Sequence, residues 1–192
     1  MPQPEAGASR RLLYLLPVAL FLGLVAVFGA RVYESAEGRD PSIIPSAMID
    51  QPAPQFDLPP LIDGKPGLAT GDLTGKPVVV NFFASWCAPC RDEHATWTGL
   101  AASGDAVTLY GIDYKDAPEA GKRFLSELGD PFSRIGVDRP GRTAIDFGVY
   151  GVPETYIVDK NGRIRYRYAG PVTPDILQTE ILPRISELET TK

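Results

Sequence analysis

The stretch Val78-Val79-Val80-Asn81-Phe82-Phe83-Ala84-Ser85-Trp86-Cys87-Ala88-Pro89-Cys90-Arg91-Asp92-Glu93-His94 decides how this chain reads. Val78 to Phe83 is an apolar, β-branched and aromatic run with the length of a buried strand. Ser85 and Trp86 make a short turn, and a helical pattern follows whose first turn holds Cys87 and Cys90. These are the only two cysteines in the chain. Three residues apart at a helix start, they can close a small ring while the first sulfur still faces solvent. Free backbone N–H groups and the positive end of the helix dipole favour a thiolate at Cys87. Pro89 lacks an N–H and has its φ pre-set, so a first helical turn tolerates it. A nucleophilic sulfur with a resolving partner beside it is equipped for redox exchange.

Other uses of the pair fit less well. A structural disulfide closing so short a loop constrains the unfolded chain little. Cys87, Cys90, His94 and a carboxylate would make four zinc ligands, but structural zinc sites draw on two clusters and no second one is present. Haem attachment needs histidine directly after Cys90, where Arg91 stands. Copper delivery calls for wider cysteine spacing and a distant histidine, whereas the single histidine is four residues after Cys90. No metal and no organic cofactor is expected. His94 itself reads as a surface or capping residue of the helix.

Outward from this motif, the 192 residues fit one domain plus an appendage. Net charge is −5; residues 1–30 carry +1 (Arg10 and Arg11 against Glu5), so the remainder carries −6. A domain this acidic is a poor nucleic-acid binder, since such binding requires a basic patch. Residues 1–11 are polar. Leu12 to Ala30 is an uncharged run of 19 residues, about the length of a transmembrane helix. A cleaved signal peptide is the competing reading, though the run is long for one and Phe28-Gly29-Ala30 is a poor cleavage site. With two arginines before it and nearly balanced charge after it, residues 1–11 are expected in the cytoplasm and the bulk of the chain across the membrane. Residues 31–50 read as a linker, and Pro41, Pro45, Pro52, Pro54, Pro59, Pro60 and Pro66 stiffen the approach to a domain spanning 51–190.

Within that domain, Phe56 to Leu58 and Leu68 to Leu73 read as short strands that pair ahead of the main fold. A helix over Ala88 to Ala102 is followed by a strand over Ala106 to Ile112. A helix over Ala117 to Leu128 has Pro118 at its first position, and a short strand over Ile135 to Val137 comes next. A helical turn spans Arg142 to Phe147. Thr155 to Val158 and Arg163 to Tyr168 flank the turn Asp159-Lys160-Asn161-Gly162, a strong hairpin signal. A last helix opens at Pro174 with Ile176, Leu177, Ile181, Ile185 and Leu188 inward, and Pro183 predicts a kink or break in it. Alternating strands and helices with a terminal hairpin predict an α/β fold with a central mixed sheet flanked by helices.

Trp86-Cys87-Ala88-Pro89-Cys90 after a buried strand, with Pro153 just before the penultimate strand, resembles the active site of the thioredoxin superfamily. The resemblance implies a thioredoxin-like fold, to which the short strands at Phe56–Leu58 and Leu68–Leu73 add an N-terminal β-hairpin and the run Leu12–Ala30 adds an N-terminal transmembrane helix. It implies that Val152–Pro153 is cis, packs against the cysteines and offers backbone bonds to substrate. Trp86, Pro89, Val152, Pro153 and Glu154 become the expected substrate-contacting residues. Asn81 stands at the position of a buried, proton-handling aspartate and cannot relay a proton, so that task passes to another group or to water; Glu154 is expected to tune the pair. The apolar run, the pattern from Pro45 to Pro59 and Gly148-Val149-Tyr150-Gly151-Val152-Pro153-Glu154-Thr155 are similar to the DsbE/CcmG group. Those are membrane-tethered periplasmic thiol:disulfide interchange proteins of cytochrome c maturation. The group implies reduction of apocytochrome c, directly or through a haem-ligation partner, with electrons from an inner-membrane reductase of the DsbD/CcdA type. A disulfide oxidase or isomerase, or a non-catalytic apocytochrome-binding scaffold, is the alternative.

Overall fold

A computed structural model describes residues 7–36, 47–104 and 107–190, with side chains described over 16–31 in the first of these stretches. The chain forms two compact units, Met1–Pro45 and Ser46–Lys192. The first contains helix α1 (Gly7–Ala36), with Pro17 inside it. Its described side chains are exposed, among them Leu16, Leu20, Phe21, Leu24 and Phe28. Among the described residues no helix is long and apolar enough to cross a membrane. Parts of the expected N-terminal segment (1–6) and linker (37–46) lie outside the described residues.

The second unit is built on a five-stranded sheet in the order β5-β4-β3-β6-β7. Its strands are β3 (Val78–Phe83), β4 (Thr108–Tyr114), β5 (Arg134–Asp138), β6 (Glu154–Val158) and β7 (Ile164–Ala169). β3, β4 and β5 run parallel, while β6 and β7 are antiparallel to their neighbours, giving the mixed sheet expected. Central β3 is buried along its whole length, so it is apolar at nearly every position instead of alternating. The strand after the cysteine helix runs two residues later than its apolar run predicts, and Ala106 lies outside the described residues.

Alternation along the strands sorts side chains onto two faces. One face packs Val79, Phe83, Leu109 and Ile157 against α2 (Ala88–Ser103), α3 (Pro118–Leu128) and the C-terminal helices. The other packs Val80, Phe82, Ile112, Tyr156 and Val158 against α4 (Arg142–Phe147) and the N-terminal segments. Both sheet edges are covered, which removes their capacity to pair with another chain. Along β7, Asp50 N–H donates to the Ile164 carbonyl at 2.7 Å and Ile164 N–H to Gln51 at 2.9 Å. The folded unit thus takes in residues assigned above to the linker. Along β5, the expected N-terminal hairpin, β1 (Asp57–Leu58) and β2 (Leu68–Ala69), lies across the strand. Gly136 permits that crossing, since a Cβ there would sit 2.7 Å from Leu58 Cβ. After β2 the chain turns into a 3-10 helix (Thr70–Leu73) instead of continuing as strand.

The hairpin turn is held by Asp159, whose Oδ1 accepts from Asn161 and Arg163 N–H at 2.9 and 3.0 Å. At the C-terminus, α5 (Pro174–Ile176) and α6 (Leu182–Thr190) are joined by one π-helical turn, Leu177–Ile181. Pro183 has no N–H to bond four residues back, and the chain accommodates it by widening ahead of it. The expected break is this widening.

Candidate active site

The cysteine helix starts where β3 ends, so the sheet's carboxyl edge presents the pair. Cys87 is the N-cap of α2, and its Sγ accepts from Cys90 N–H at 3.1 Å. That bond meets one of the free donors of the first turn, the feature expected to favour thiolate. Cys87 and Cys90 are joined as a disulfide. Cys87 is only 3% exposed, which corrects the expectation of a solvent-facing sulfur. The Val152 carbonyl oxygen lies 3.4 Å from its Sγ. The Val152–Pro153 bond is cis, as the resemblance implied. Pro89 is exposed beside the pair and Pro153 is buried. Trp86 is 60% exposed on the rim; its indole N–H donates to the Lys115 carbonyl at 3.2 Å.

Beneath the pair, Asn81 projects from β3 on the same sheet face. Its Nδ2 donates to Glu93 Oε1 at 2.8 Å and to Thr155 Oγ1 at 3.2 Å. Glu93 is 2% exposed, and its other oxygen accepts from Val172 N–H at 2.7 Å. The Trp97 ring stands beside it, though its N–H makes no hydrogen bond of good geometry. Burial pushes the Glu93 carboxyl up to about 7, with the hydrogen bonds from Val172 and Asn81 opposing the shift. Glu93 is the candidate site residue that reading the sequence missed. Its signal was present: Cys90, Glu93, His94, Trp97 and Leu100 are the buried face of α2, and an acid at that spacing from Cys90 cannot be solvent-facing.

Two expectations are corrected by the geometry. Glu154 pairs with Phe82 in the β3–β6 register and shares Tyr156's face, on the other side of the sheet from the cysteines. There it is the buried half of an ion pair, with Arg167 Nε 2.7 Å from its Oε2, which Tyr156 Oη also reaches at 3.0 Å. Its Oε1 accepts from Tyr150 and Gly151 N–H at 2.8 and 3.3 Å. Its carboxylate is thus fully engaged within the protein on the face away from the sulfurs, where it holds the loop that leads into Val152 and Pro153. His94 is likewise buried, not on the surface. Its Nε2–H donates to the Gly129 carbonyl at 2.8 Å, its ring edge meets Phe124, and burial holds its pKa below the usual value.

The geometry therefore joins a redox-active pair, a cis-proline loop and a buried titratable acid. Residues 49–167 match the AhpC/TSA family. The chain is 42% identical to the thiol:disulfide interchange protein DsbE of Pseudomonas aeruginosa over 179 residues, 93% of this chain and 96% of that one. It is 40% identical to the thiol:disulfide interchange protein HelX of Rhodobacter capsulatus, covering 91% of this chain and 96% of that one. Among solved structures, it is similar to a putative DsbE from Chlorobium tepidum, with a TM-score of 0.61 at 27% identity over 70% of this chain and 95% of that one. An oxidisable pair at a helix N-terminus and relatives matched along almost their full length lead to one conclusion: the chain is a thiol:disulfide oxidoreductase that belongs to the AhpC/TSA family and to the DsbE/CcmG group within the thioredoxin-like proteins.

Proposed function

We propose that this protein reduces disulfides of apocytochrome c, or of its haem-ligation partner, on the periplasmic side of the bacterial inner membrane. The observation that carries the reading is the Cys87–Cys90 pair set against the Val152–Pro153 loop, in a chain alike along its length to proteins named for thiol:disulfide interchange. The Cys87 thiolate attacks a partner disulfide, forming a mixed disulfide and releasing the partner's second sulfur as a thiolate. Cys90 then attacks Cys87, freeing the reduced partner and leaving the pair oxidised. Glu93, one helical turn from Cys90, takes the proton that the Cys90 thiol gives up, a role Asn81 cannot fill.

An oxidised pair must be recharged, and an oxidising compartment does not supply electrons. This gives the apolar run 12–30 its purpose as an anchor, holding the domain near a membrane reductase of the DsbD/CcdA type. The outward-facing apolar side chains of α1 support that reading, with residues 1–11 in the cytoplasm. The test is the reduction potential of the pair in the full chain, held in detergent and equilibrated against dithiothreitol. A value near about −270 mV supports a reductant; one near about −120 mV makes the protein a disulfide donor and overturns the proposal. A Cys90→Ser variant should in addition trap apocytochrome c covalently through Cys87, which a non-catalytic scaffold would not do.

A further inference from the structure

Behind the cysteine turn lies a second group of buried acids that the exchange chemistry leaves unused. Asp113, near the end of β4, is completely enclosed. Phe83 on β3 and Val137 on β5 flank it in the sheet. α3 roofs it at Gly121, where a Cβ would stand 2.7 Å from Asp113 Oδ2 and 3.2 Å from Leu61 Cδ2. Glycine at 121 is thus what makes room for the carboxyl. Neither Asp113 oxygen meets an N–H or hydroxyl donor.

The charged groups on the surrounding elements do not supply one. On α3, the Lys122 ammonium pairs with Glu119. In the loop after β4, the Lys115 ammonium lies over the Tyr114 ring. On β5, Asp138 turns the other way and accepts from Ala144 N–H at 2.8 Å. Burial raises the affinity of Asp113 for a proton, and the neighbouring carboxyl of Asp116 raises it further. An ionised carboxylate with no donor and a second carboxylate against it is the least favourable arrangement such a site can hold. A neutral Asp113 instead has an O–H to donate, and Asp116 is the acceptor facing it.

Asp116 in turn grips the cysteine turn. Its Oδ2 accepts from Ser85 N–H at 2.6 Å and its Oδ1 from Ala117 N–H at 2.7 Å. The neighbouring Lys115, held at φ 47°, directs its carbonyl to the Trp86 indole. Ser85 and Trp86 directly precede Cys87. We propose that Asp113 and Asp116 share one proton, and that this carboxyl pair is the positioning device that sets the turn Ser85–Trp86–Cys87 for thiol:disulfide exchange. The inference rests on exchange at Cys87–Cys90 and not on its direction. With one proton the pair carries a single negative charge and Asp116 stays on Ser85. Loss of that proton leaves two repelling carboxylates, and Asp116 leaves the Ser85 N–H.

The test follows the Asp113 carboxyl carbon and the Ser85 amide proton by nuclear magnetic resonance in the full chain, from acid to alkaline pH. The rate at which dithiothreitol reduces the pair is read alongside, as the ratio of variant to unsubstituted protein. The expected result is an Asp113 carboxyl that titrates near 8, with Ser85 amide protection falling through the same midpoint. Asp113→Asn retains a donor toward Asp116 but cannot lose a proton, so it should keep Ser85 protected across that range and remove the alkaline change in exchange rate. Asp116→Ala should expose the Ser85 amide at every pH and slow exchange about tenfold, the loss expected for one hydrogen bond to a charged group. An Asp113 carboxyl titrating in the ordinary acid range overturns the proposal. So does an unchanged alkaline loss of protection in Asp113→Asn, or normal protection and exchange in Asp116→Ala. If Asp113→Asn does not fold, the titration of the unsubstituted protein decides alone.

Discussion

The two faces of one sheet treat buried carboxylates in opposite ways. On the far face Glu154 has Arg167 at 2.7 Å, a tyrosine hydroxyl and two backbone N–H groups. Every acceptor site is used, and its charge is balanced. On the cysteine face Glu93 has only neutral partners, and Asp113 has no donor at all. Burial raises both acids, to about 7 and about 8. A carboxylate locked to a guanidinium is a structural tie, because its protonation state cannot change without breaking the pair. A buried carboxyl with no cation beside it can gain and lose a proton at working pH, and those acids are the ones placed under the redox pair and its turn.

The largest effect should come from the reacting sulfur. Cys87→Ser should abolish catalytic turnover of disulfides while leaving the fold intact by circular dichroism, since the remaining thiol, Cys90, has no second cysteine to resolve a mixed disulfide. Retained turnover would remove the cysteine face from the chemistry and end the comparison. Next comes the far face. Arg167→Met leaves Glu154 buried without its counter-charge, and urea unfolding should show a loss of about 3–5 kcal/mol at neutral pH. A loss well under that range would mean the ion pair is not what holds Glu154.

The pH dependence of stability sharpens the contrast. Glu93 and Asp113 bind their protons more tightly folded than unfolded, where they return to the ordinary carboxyl values of 4.5 and 3.8. Between each unfolded value and its folded one, the folded protein holds a proton that the unfolded chain has lost. Stability should therefore be greatest in acid and fall as pH rises to about 7 for Glu93 and about 8 for Asp113. The slope is about 1.4 kcal/mol per pH unit for each group. Glu93→Gln should remove its share of that slope, measured as unfolding free energy at a series of pH values. A profile that instead rises with pH through this window would show that these acids are held ionised. The smallest effect belongs to an exposed pair: Arg142→Ala breaks the 3.1 Å contact with Asp146 and should shift stability by no more than about 0.5 kcal/mol.

What the sequence determined alone was whatever depends on near neighbours. The apolar run Val78–Phe83, the two cysteines three apart, the proline-led helices and the Asp159–Gly162 turn each carry their cause within a few residues. The redox pair and the order of elements were legible for that reason, and the likeness to thioredoxin-type proteins added the cis bond before Pro153. What only the tertiary structure decided was the partner of each buried polar group. Glu154 meets Arg167 across a strand pair, Glu93 meets Asn81 and the distant Val172, and His94 is sealed in by Gly129 and Phe124. Asp113 is enclosed by a helix that approaches only because residue 121 has no side chain. A charged side chain looks the same in sequence whether it faces water, a guanidinium or another acid. Which of these it meets depends on the face of the sheet each helix covers, and burial then sets its charge.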